Sequence, residues 1–587
     1  MTNKEIGQKF FQIAKVLELK DPSDSPRGEA GRFRIIAYER AAQTLENYPE
    51  DLNAVYHRGG VKELKVIPNV GQSVAEKIEE LIKTGKIKYL EEISSEVPTN
   101  EVQFIQIPGV GPKTAIKIAR ELKAKNIDDL EKKLKAGKAD KVFKEKTGAN
   151  ILRGIEIMRR LTGRMLLTEA LPIAEKVVDY LKKETGVKKI DYVGSLRRMK
   201  ETVGDIDIVA ATSEPQKMID KFVQMPGIIN ILAKGPGKAM VIFEPNAHVD
   251  LEIVPEKEYG SLLQHLTGSK EHNVALRAYA LTIGRSVSEH GLKVVKDGKV
   301  KSRITCKDEE CVYRNLKMDW IPPELRENRG EIAAARSGKL PKLVELSEIR
   351  GDLHVHSNWS DGLMTISDIA RAAEKMGYEY IVISDHTVGL GIAHGLNEAD
   401  INKRQREIET VQKAHPKLKI LSSVEVNIKA NGDLDIKDWM LGKLDIVTAS
   451  VHTSFFQDRV TMTDRLLKAI SHPHVDIIGH PSGRIIGQRE PYDVDWPAVF
   501  RACVEHKTAL EISAFPNRLD LRDTLCKEAK GYGVKFAIST DAHQLHHLDL
   551  MRFGVSVARR GWLEKEDIIN TLGLQEITNW AKRGPAT

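Results

Sequence analysis

Between residues 351 and 543, six short apolar runs each end in histidine, aspartate or glutamate, and this pattern constrains the chain more than any other feature. The runs close on Gly351-Asp-Leu-His354-Val-His356-Ser (with Asp361 soon after), Ser384-Asp-His386, Ser423-Val-Glu425, Ser450-Val-His452, Gly479-His480 and Ser539-Thr-Asp541-Ala-His543. Helical segments such as Ile366–Lys375 and Ala399–Lys413 separate them. That is the rhythm of a βα barrel whose polar groups gather at the C-terminal ends of its strands. His354 and His356 are two apart, so both project from one face of a strand. One histidine on a strand is more often a satisfied core residue. Nine imidazole and carboxylate groups exceed what one ion needs and point to two or three metals with bridging carboxylates. Histidine is concentrated accordingly, with 13 of 18 beyond residue 340, although His394, His472 and His474 read as solvated surface.

The chain of 587 residues is too long for one core, so several domains are expected. Its apolar runs are strand-sized, which predicts no membrane span, and the opening MTNKEIGQKF lacks the apolar stretch of a secretory signal. Four cysteines (Cys306, Cys311, Cys503, Cys526) are too few for a disulfide framework and are expected as free thiols in a reducing cytoplasm. The net charge of +7 is unevenly spread. Residues 1–340 hold 59 Lys+Arg against 49 Asp+Glu, an excess of +10 that leaves −3 for the remainder. Basic residues therefore collect where a polyanion would be held.

Residues 1–92 read as helical from apolar spacings of three and four, as in Ile6–Leu19 and Phe33–Leu45. Two segments repeat one grammar about 40 residues apart: Ile67-Pro-Asn-Val-Gly-Gln-Ser-Val-Ala-Glu-Lys-Ile78 and Ile107-Pro-Gly-Val-Gly-Pro-Lys-Thr-Ala-Ile-Lys-Ile118. Small hairpin residues let backbone N–H groups approach a phosphate, a grip that does not read base sequence. The pair resembles the helix–hairpin–helix elements of DNA repair proteins, which places Gly71, Gly109 and Gly111 at the DNA. Asn69 stands where that family usually has glycine, so a weaker grip is expected of the first hairpin. A helical hairpin that merely packs is the alternative.

From about 165 to 320, β-branched runs alternate with helical stretches, predicting an α/β domain. It carries Tyr192-Val-Gly194-Ser195-Leu-Arg197-Arg198 and then Gly204-Asp205-Ile-Asp207-Ile-Val. Asp205 and Asp207 project from one face of a strand, and Asp250, in His248-Val-Asp-Leu-Glu-Ile-Val, comes from another. Three convergent carboxylates suit two Mg²⁺ or Mn²⁺ ions. Gly194 and Ser195 can offer a backbone N–H and a hydroxyl to a triphosphate, and Arg198 can neutralise it. Gly-Ser followed by Asp-x-Asp and a later strand Asp resembles the nucleotidyltransferase superfamily. The double arginine and the intact spacing narrow the resemblance to family X DNA polymerases, with Asp205, Asp207 and Asp250 as catalytic metal ligands.

The next segment, His265-Leu-Thr-Gly268-Ser269-Lys-Glu-His-Asn273-x-x-x-Arg277, matches that family's nucleotide-facing thumb. By resemblance Gly204, Gly268 and Asn273 join the dNTP site, and Arg277 reaches the template side. Polymerase beta has an aromatic pair where this chain has His265 and Leu266, which leaves sugar discrimination open. The N-terminal region resembles the lyase domain of polymerase beta, through Arg34-Ile-Ile-Ala-Tyr38 and Ala75-Glu-Lys77-Ile. Lys77 matches its Schiff-base lysine, which removes a 5′-deoxyribose phosphate. Ser73 and Arg34 replace companion lysines, so a plain phosphate contact is the competing role for Lys77.

The histidine-rich half looks like the polymerase and histidinol phosphatase (PHP) domain, which implies a distorted (β/α)7 barrel. By that resemblance His354, His356, Glu425 and Asp541 surround one metal. Glu425, His452 and His480 hold a second, and Asp361, His386 and His543 a third. The metals implied are two or three Mn²⁺ or Zn²⁺ ions. The activity implied is a 3′→5′ exonuclease, with 3′-phosphatase or abasic-site endonuclease action as variants. Arg459, Arg484 and Arg518 follow barrel strands and are candidate grips on the DNA backbone.

The expected organisation is a lyase-like helical domain (1–92), a fingers-like helical domain (93–160), a palm (161–256), a thumb (257–320), a linker (321–347) and a barrel (348–587). The resemblance implies a monomeric prokaryotic cytoplasmic enzyme of base excision repair, working on gapped or primer–template DNA with dNTPs. Two rivals stand beside it. One is a small-molecule phosphatase tethered to a DNA-binding module, and the other is a DNA-binding scaffold with both centres silent.

Overall fold

A computed structural model describes residues 3–581 apart from 21–27, 47, 49, 96, 144, 162, 297–298 and 390–392. The chain forms two compact units, Met1–Thr162 with Gly487–Arg489, and Gly163–Ile486 with Glu490–Thr587.

The first unit is helical. Helices Asn3–Lys20 and Gly28–Glu46 bury Ile6, Phe10, Ile13, Ala41 and Leu45 at helical spacing, in a core that continues through Phe104, Ile118 and Ile155. Each glycine hairpin leads into a helix, Gln72–Thr84 capped at Gly71 and Pro112–Arg120 capped at Gly111. The two hairpins share one left-handed residue, Gly109 at φ 80° and Asn69 at φ 60°. Asparagine tolerates that conformation better than other side chains. Its Nδ2 also donates to Thr44 Oγ1 at 3.0 Å, so the first hairpin keeps the turn without glycine.

In the second unit, strands β1 (Lys189–Tyr192), β2 (Ile206–Ala211), β3 (Ile228–Lys234), β4 (Lys238–Phe243) and β5 (Ala247–Val254) form a sheet in the order β1-β2-β5-β4-β3. Only the β2–β5 pair is parallel. The barrel follows as β6 (Gly351–Val355), β7 (Tyr380–Ile383), β8 (Lys419–Ser422 with Glu425–Asn427), β9 (Thr448–Ser450), β10 (Ile477–Ile478), β11 (Ala509–Ser513) and β12 (Phe536–Ser539). The strands are parallel and in chain order in two sheets, Gly351–Val355 to Lys419–Ser422 and Glu425–Asn427 to Phe536–Ser539, with single bridges His386–Glu425 and Val355–Ala542 between them. Fully buried strands such as Tyr380–Ile383 suit a parallel sheet covered on both faces. One apolar core runs without a break from palm residues such as Leu171, Ile208 and Val249 to barrel residues such as Ile383, Ile478 and Ile538.

Two expectations need correction. The Pro- and Gly-rich stretch 321–347 is a packed brace: Ile321, Leu325 and Ala335 join the thumb core, and Val344 joins the core shared by palm and barrel. Its prolines and glycines make turns, while its spaced apolar residues find partners that local composition does not reveal. Cys306 and Cys311, expected as free thiols, are joined as a disulfide, because the turn into helix Glu309–Asn315 brings their Cα atoms to 5.5 Å. Cys503 and Cys526 are free, as expected, and both are buried.

The brace is tied in by buried charge. Arg326, fully buried, donates to Glu309 Oε1 at 2.6 Å, and Glu309 also takes a two-pronged ion pair from Arg197 at 2.9 Å on each oxygen. Burial alone would raise the Glu309 pKa, but Arg326 and Arg197 hold it down at about 2. Glu309→Ala leaves Arg326 buried without its anion and costs about 3–5 kcal/mol. Urea unfolding measures that loss, and an unchanged midpoint would contradict the packing role of the brace.

Candidate catalytic centres

The palm centre is set by strand register. Asp207 on β2 lies directly beside Asp250 on β5, and Asp205 stands exposed just before β2. Burial, then repulsion from Asp205 and Asp250, pushes the Asp207 carboxyl up to about 6, and burial raises Asp250 as well. Lys238 Nζ, 3.9 Å from Asp250 Oδ2, is the nearest opposing charge. Crowded acids of this kind need cations to stay ionised together, which fits a site for divalent metal. The sign for the metal-free protein follows from the Asp207 value. Its folded pKa lies above the ordinary 3.8, so ionisation disfavours the fold, fully above pH 6 and not at all below about pH 4. In EDTA, Asp207→Asn therefore stabilises the protein above pH 6 by about 2–3 kcal/mol and does nothing at pH 4. Equal denaturation midpoints at pH 7.5 would contradict this.

Gly194 (φ 65°) opens the short helix Gly194–Arg197, and a Cβ there would sit 3.1 Å from Asp207 Oδ2, so the loop lies against the carboxylates. Ser195 follows it, partly buried. Gly204 immediately precedes the Asp-x-Asp pair, and a Cβ there would meet the Arg164 guanidinium at 3.3 Å. Arg198 is held rather than free. It pairs with Glu327 at 3.1 Å, donates to the Thr267 carbonyl, and lies 3.0 Å from where a Gly268 Cβ would be. Gly268 has φ 68°. Asn273 Nδ2 donates to the His265 carbonyl at 2.7 Å while Gln264 Nε2 donates to Asn273 Oδ1 at 2.9 Å, which orients the amide. Arg277 reaches His265 Nδ1 at 3.0 Å.

At the barrel mouth all nine expected residues converge. Glu425 is the hub: Oε1 lies 2.9 Å from His480 Nε2 and 3.2 Å from His452 Nε2, and Oε2 lies 2.9 Å from His386 Nδ1 and 3.5 Å from His354 Nε2. His354 and His356 bring their Nε2 atoms to 3.1 Å, and His356 Nε2 is 3.1 Å from Asp541 Oδ1. Asp361 lies 3.4 Å from His543 Nε2 and 3.6 Å from His386 Nε2. Three overlapping groups present atoms close enough for one ion each: His354, His356, Asp541; His386, Glu425, His452; and His356, Asp361, His386, His543. His480 and Asp541 hold positive φ (27° and 53°), strain of the kind that collects at functional sites.

The donor chemistry fits metal. His356 Nδ1, His452 Nδ1 and His480 Nδ1 are buried with no hydrogen-bond partner. Such orphans are costly in a protein interior unless a ligand satisfies them. Burial, aided by neighbouring histidines, pushes His356 down to about 4, so this imidazole is neutral and able to ligate.

Sequence reasoning missed a set of buried carboxylates beneath this cluster. Glu511 Oε1 lies 2.8 Å from His354 Nδ1, and its Oε2 accepts the His480 backbone N–H at 2.5 Å. Asp385 accepts from the Ser357 N–H at 2.7 Å, Ser360 Oγ at 2.8 Å and Arg404 at 2.9 Å. Asp352 accepts the Thr540 N–H at 3.1 Å. Such partners fix the orientation of ligating side chains. A carboxylate inside an apolar β-run, as in Ala509-Leu-Glu511-Ile, was the available signal. Of the arginines, Arg518 Nε stands 3.8 Å from Asp541 Oδ2 and Arg484 pairs with Glu201 at 2.7 Å, while Arg459 is exposed. His394 is exposed, and His472 lies 3.3 Å from Asp438.

In the helical unit, Gly71, Gly109 and Gly111 have nothing within 4 Å of an added Cβ, so the hairpin backbones are open to approach. Lys77 donates to Ser73 Oγ at 2.8 Å and lies 4.8 Å from the centre of the Tyr89 ring, whose hydroxyl accepts from Arg34.

Comparison with known proteins matches three families. Residues 1–87 match the helix-hairpin-helix domain, 262–327 the DNA polymerase beta thumb and 352–511 the PHP domain. The DNA polymerase/3′-5′ exonuclease PolX of Bacillus subtilis (strain 168) is 34% identical over 587 residues, covering 99% of this chain and 100% of the relative. A probable phosphatase of Thermoanaerobacter sp. (strain X514) is 33% identical over 232 residues, 38% of this chain and 89% of that protein. Another, from Caldanaerobacter subterraneus subsp. tengcongensis, is 34% identical over 204 residues, 33% of this chain and 75% of that protein.

Proposed function

The chain belongs to the PolX family of DNA polymerases that carry a PHP domain, and from that premise we propose that it fills short gaps in DNA at its palm and trims 3′ ends at its barrel. The observation that carries the reading is completeness: Asp207 and Asp250 in register in the palm with Asp205 just before the strand, and nine converging ligands in the barrel of one chain. Its substrates are gapped or primer–template DNA and dNTPs. We place it in base excision repair, as a monomer in a prokaryotic cytoplasm. Among the described residues no helix is long and apolar enough to cross a membrane.

In the palm, Asp205, Asp207 and Asp250 would hold two Mg²⁺ or Mn²⁺ ions, which lower the pKa of a primer 3′-hydroxyl and neutralise the triphosphate. Strand pairing keeps Asp207 and Asp250 side by side, so little reorganisation is left for substrate binding. Gly194, lacking a side chain, lets a phosphate come close to those carboxylates, with the Ser195 hydroxyl beside it. Asn273, its amide fixed at both ends, faces the nucleotide, and Arg277 the template.

In the barrel, His354, His356, Asp361, His386, Glu425, His452, His480, Asp541 and His543 would hold two or three Mn²⁺ or Zn²⁺ ions, which deprotonate a water and neutralise the phosphate under attack. Glu511 locks the His354 ring so that Nε2 faces the cluster. Six of these nine ligands are buried, while Asp361, His452 and His543 stay partly exposed, which leaves the cluster open to substrate and water.

The test is a labelled primer in a one-nucleotide-gapped duplex with Mn²⁺. Extension with dNTPs and stepwise shortening without them are expected. A primer untouched under both conditions would sink the reading. The rival, a small-molecule phosphatase, draws support from the likeness of the barrel to probable phosphatases. It predicts turnover of histidinol phosphate and none of DNA. Lys77 supplies a further activity if borohydride traps it on DNA bearing a 5′-deoxyribose phosphate, and Lys77→Ala abolishes that adduct.

A further inference from the structure

Where palm, brace and barrel meet, a cavity of about 170 Å³ is walled by five cations, Lys200, Arg329, Arg484, Arg522 and Arg560. Its two carboxylates are already engaged. Glu201 pairs with Arg484 at 2.7 Å, and Asp523 pairs with Arg560 at 2.7 Å and Arg329 at 3.0 Å. Nearby Glu327 is shared between Arg198 and Arg560, each at 3.1 Å. Among the described residues, Lys200 and Arg522 have no carboxylate within ion-pair distance. The wall therefore carries three more positive than negative groups, five against two. Burial, then Arg560, draws the Lys200 ammonium below its ordinary pKa, with Arg329 adding to the effect and Glu327 and Asp523 opposing it. Cations crowded in a half-enclosed space form a site for an anion.

The position of the cavity says which anion. Lys200 and Glu201 lie a few residues before Gly204-Asp205, so one wall belongs to the segment that leads into the palm carboxylates. From the barrel side, Arg484, besides pairing with Glu201, donates to the Arg518 carbonyl at 2.9 Å and the Leu519 carbonyl at 2.5 Å. Arg518 in turn brings Nε to 3.8 Å from Asp541 of the barrel cluster, and its Nη1 is buried without a hydrogen-bond partner. Cationic side chains thus run from the segment that precedes the palm's Asp-x-Asp pair, through Arg484, to Arg518 beside the barrel ligand Asp541. A chain of phosphates one nucleotide apart is the polyanion that such a row would carry.

We propose that this cavity binds a backbone phosphate of the DNA strand as its 3′ end passes between the polymerase and exonuclease centres. The assignment rests on the two-centre reading given above. Lys200 and Arg522 supply the charge, and Arg484 links the cavity to Arg518 at the barrel mouth.

The test compares the full-length protein with Lys200→Gln/Arg522→Gln and the charge-keeping Lys200→Arg/Arg522→Lys. Binding of a gapped duplex with a mismatched 3′ terminus is titrated across salt concentrations, with Ca²⁺ replacing Mn²⁺ to suppress turnover. Loss of one phosphate contact lowers the slope of log K against log[salt] by about 0.7–0.9. That fall is expected for the glutamine variant, with the slope regained in the charge-keeping one. In Mn²⁺ with dNTPs and excess trap DNA, the glutamine variant should trim and extend separately at wild-type rates but rarely do both before dissociating. An unchanged salt slope overturns the proposal. So does a thermal shift with inorganic phosphate or pyrophosphate, lost in the glutamine variant while the DNA slope stays the same, since the cavity would then take free phosphate only. Because the slope is read without turnover, it judges the cavity separately from the activity of either centre.

Discussion

Asp205→Ala/Asp207→Ala is expected to abolish primer extension, by at least about 10³-fold, while 3′-end shortening proceeds at the wild-type rate. His354→Ala/His356→Ala is expected to do the reverse. The reason is spatial: Asp207 is set beside Asp250 by the β2–β5 register with Asp205 just before β2, whereas the histidines stand at the end of the first barrel strand, where His356 contacts Asp541 and Glu425. Neither ligand set borrows a residue from the other. Gel assays on a one-nucleotide-gapped duplex, with and without dNTPs, read both activities from one sample. If either double variant loses both activities without unfolding, the two centres are not separate and the assignment of roles is wrong.

Glu425→Gln should produce the second large effect, a loss of shortening of about 10³-fold together with loss of bound metal. Glu425 lies within ion-pair distance of His354, His356, His386, His452 and His480, so it is the group most able to bridge. Burial opposes its charge, but His452, His386 and His354 hold its carboxyl well below the ordinary range. The amide keeps the shape and removes that charge. Elemental analysis should find at least one metal fewer per chain. Chelation adds a stability readout, since a ligand bound only by the folded state at about 1,000 times its Kd contributes about 4 kcal/mol. EDTA should therefore lower the unfolding temperature of wild type much more than that of Glu425→Gln. Equal metal content in the two proteins would remove Glu425 from the bridging role.

Much of both centres was legible because the chemistry obeys local spacing. Asp205 and Asp207 are two apart, as are His354 and His356, and that spacing at a strand end singled out both pairs, although Asp205 and His356 lie just outside their strands. The glycines of the second hairpin and the left-handed turn they allow were equally readable. What escaped was whatever depends on a distant partner. Glu511 touches His354 across 157 residues, Arg198 meets Glu327 across 129, and Arg560 reaches Glu327 across 233. The stretch 321–347 has a linker's composition, yet it is braced by Arg326 and Glu331, both buried, with Glu331 2.6 Å from His272. That Asn69 keeps the left-handed turn, with its side chain on Thr44, was likewise not readable from the sequence.

By itself, then, the sequence determined most of the kinds of element and which candidate ligands stand close along the chain, because periodicity and ligand chemistry are written within a few residues of each other. The tertiary structure decided which ligand faces which, the seating of the brace between palm and barrel, and the pairing of Cys306 with Cys311. It also decided that palm and barrel share one core and a cationic cavity between them. Those outcomes depend on burial and on charges brought together from far along the chain, and the free energy of such contacts exists only once the chain has packed.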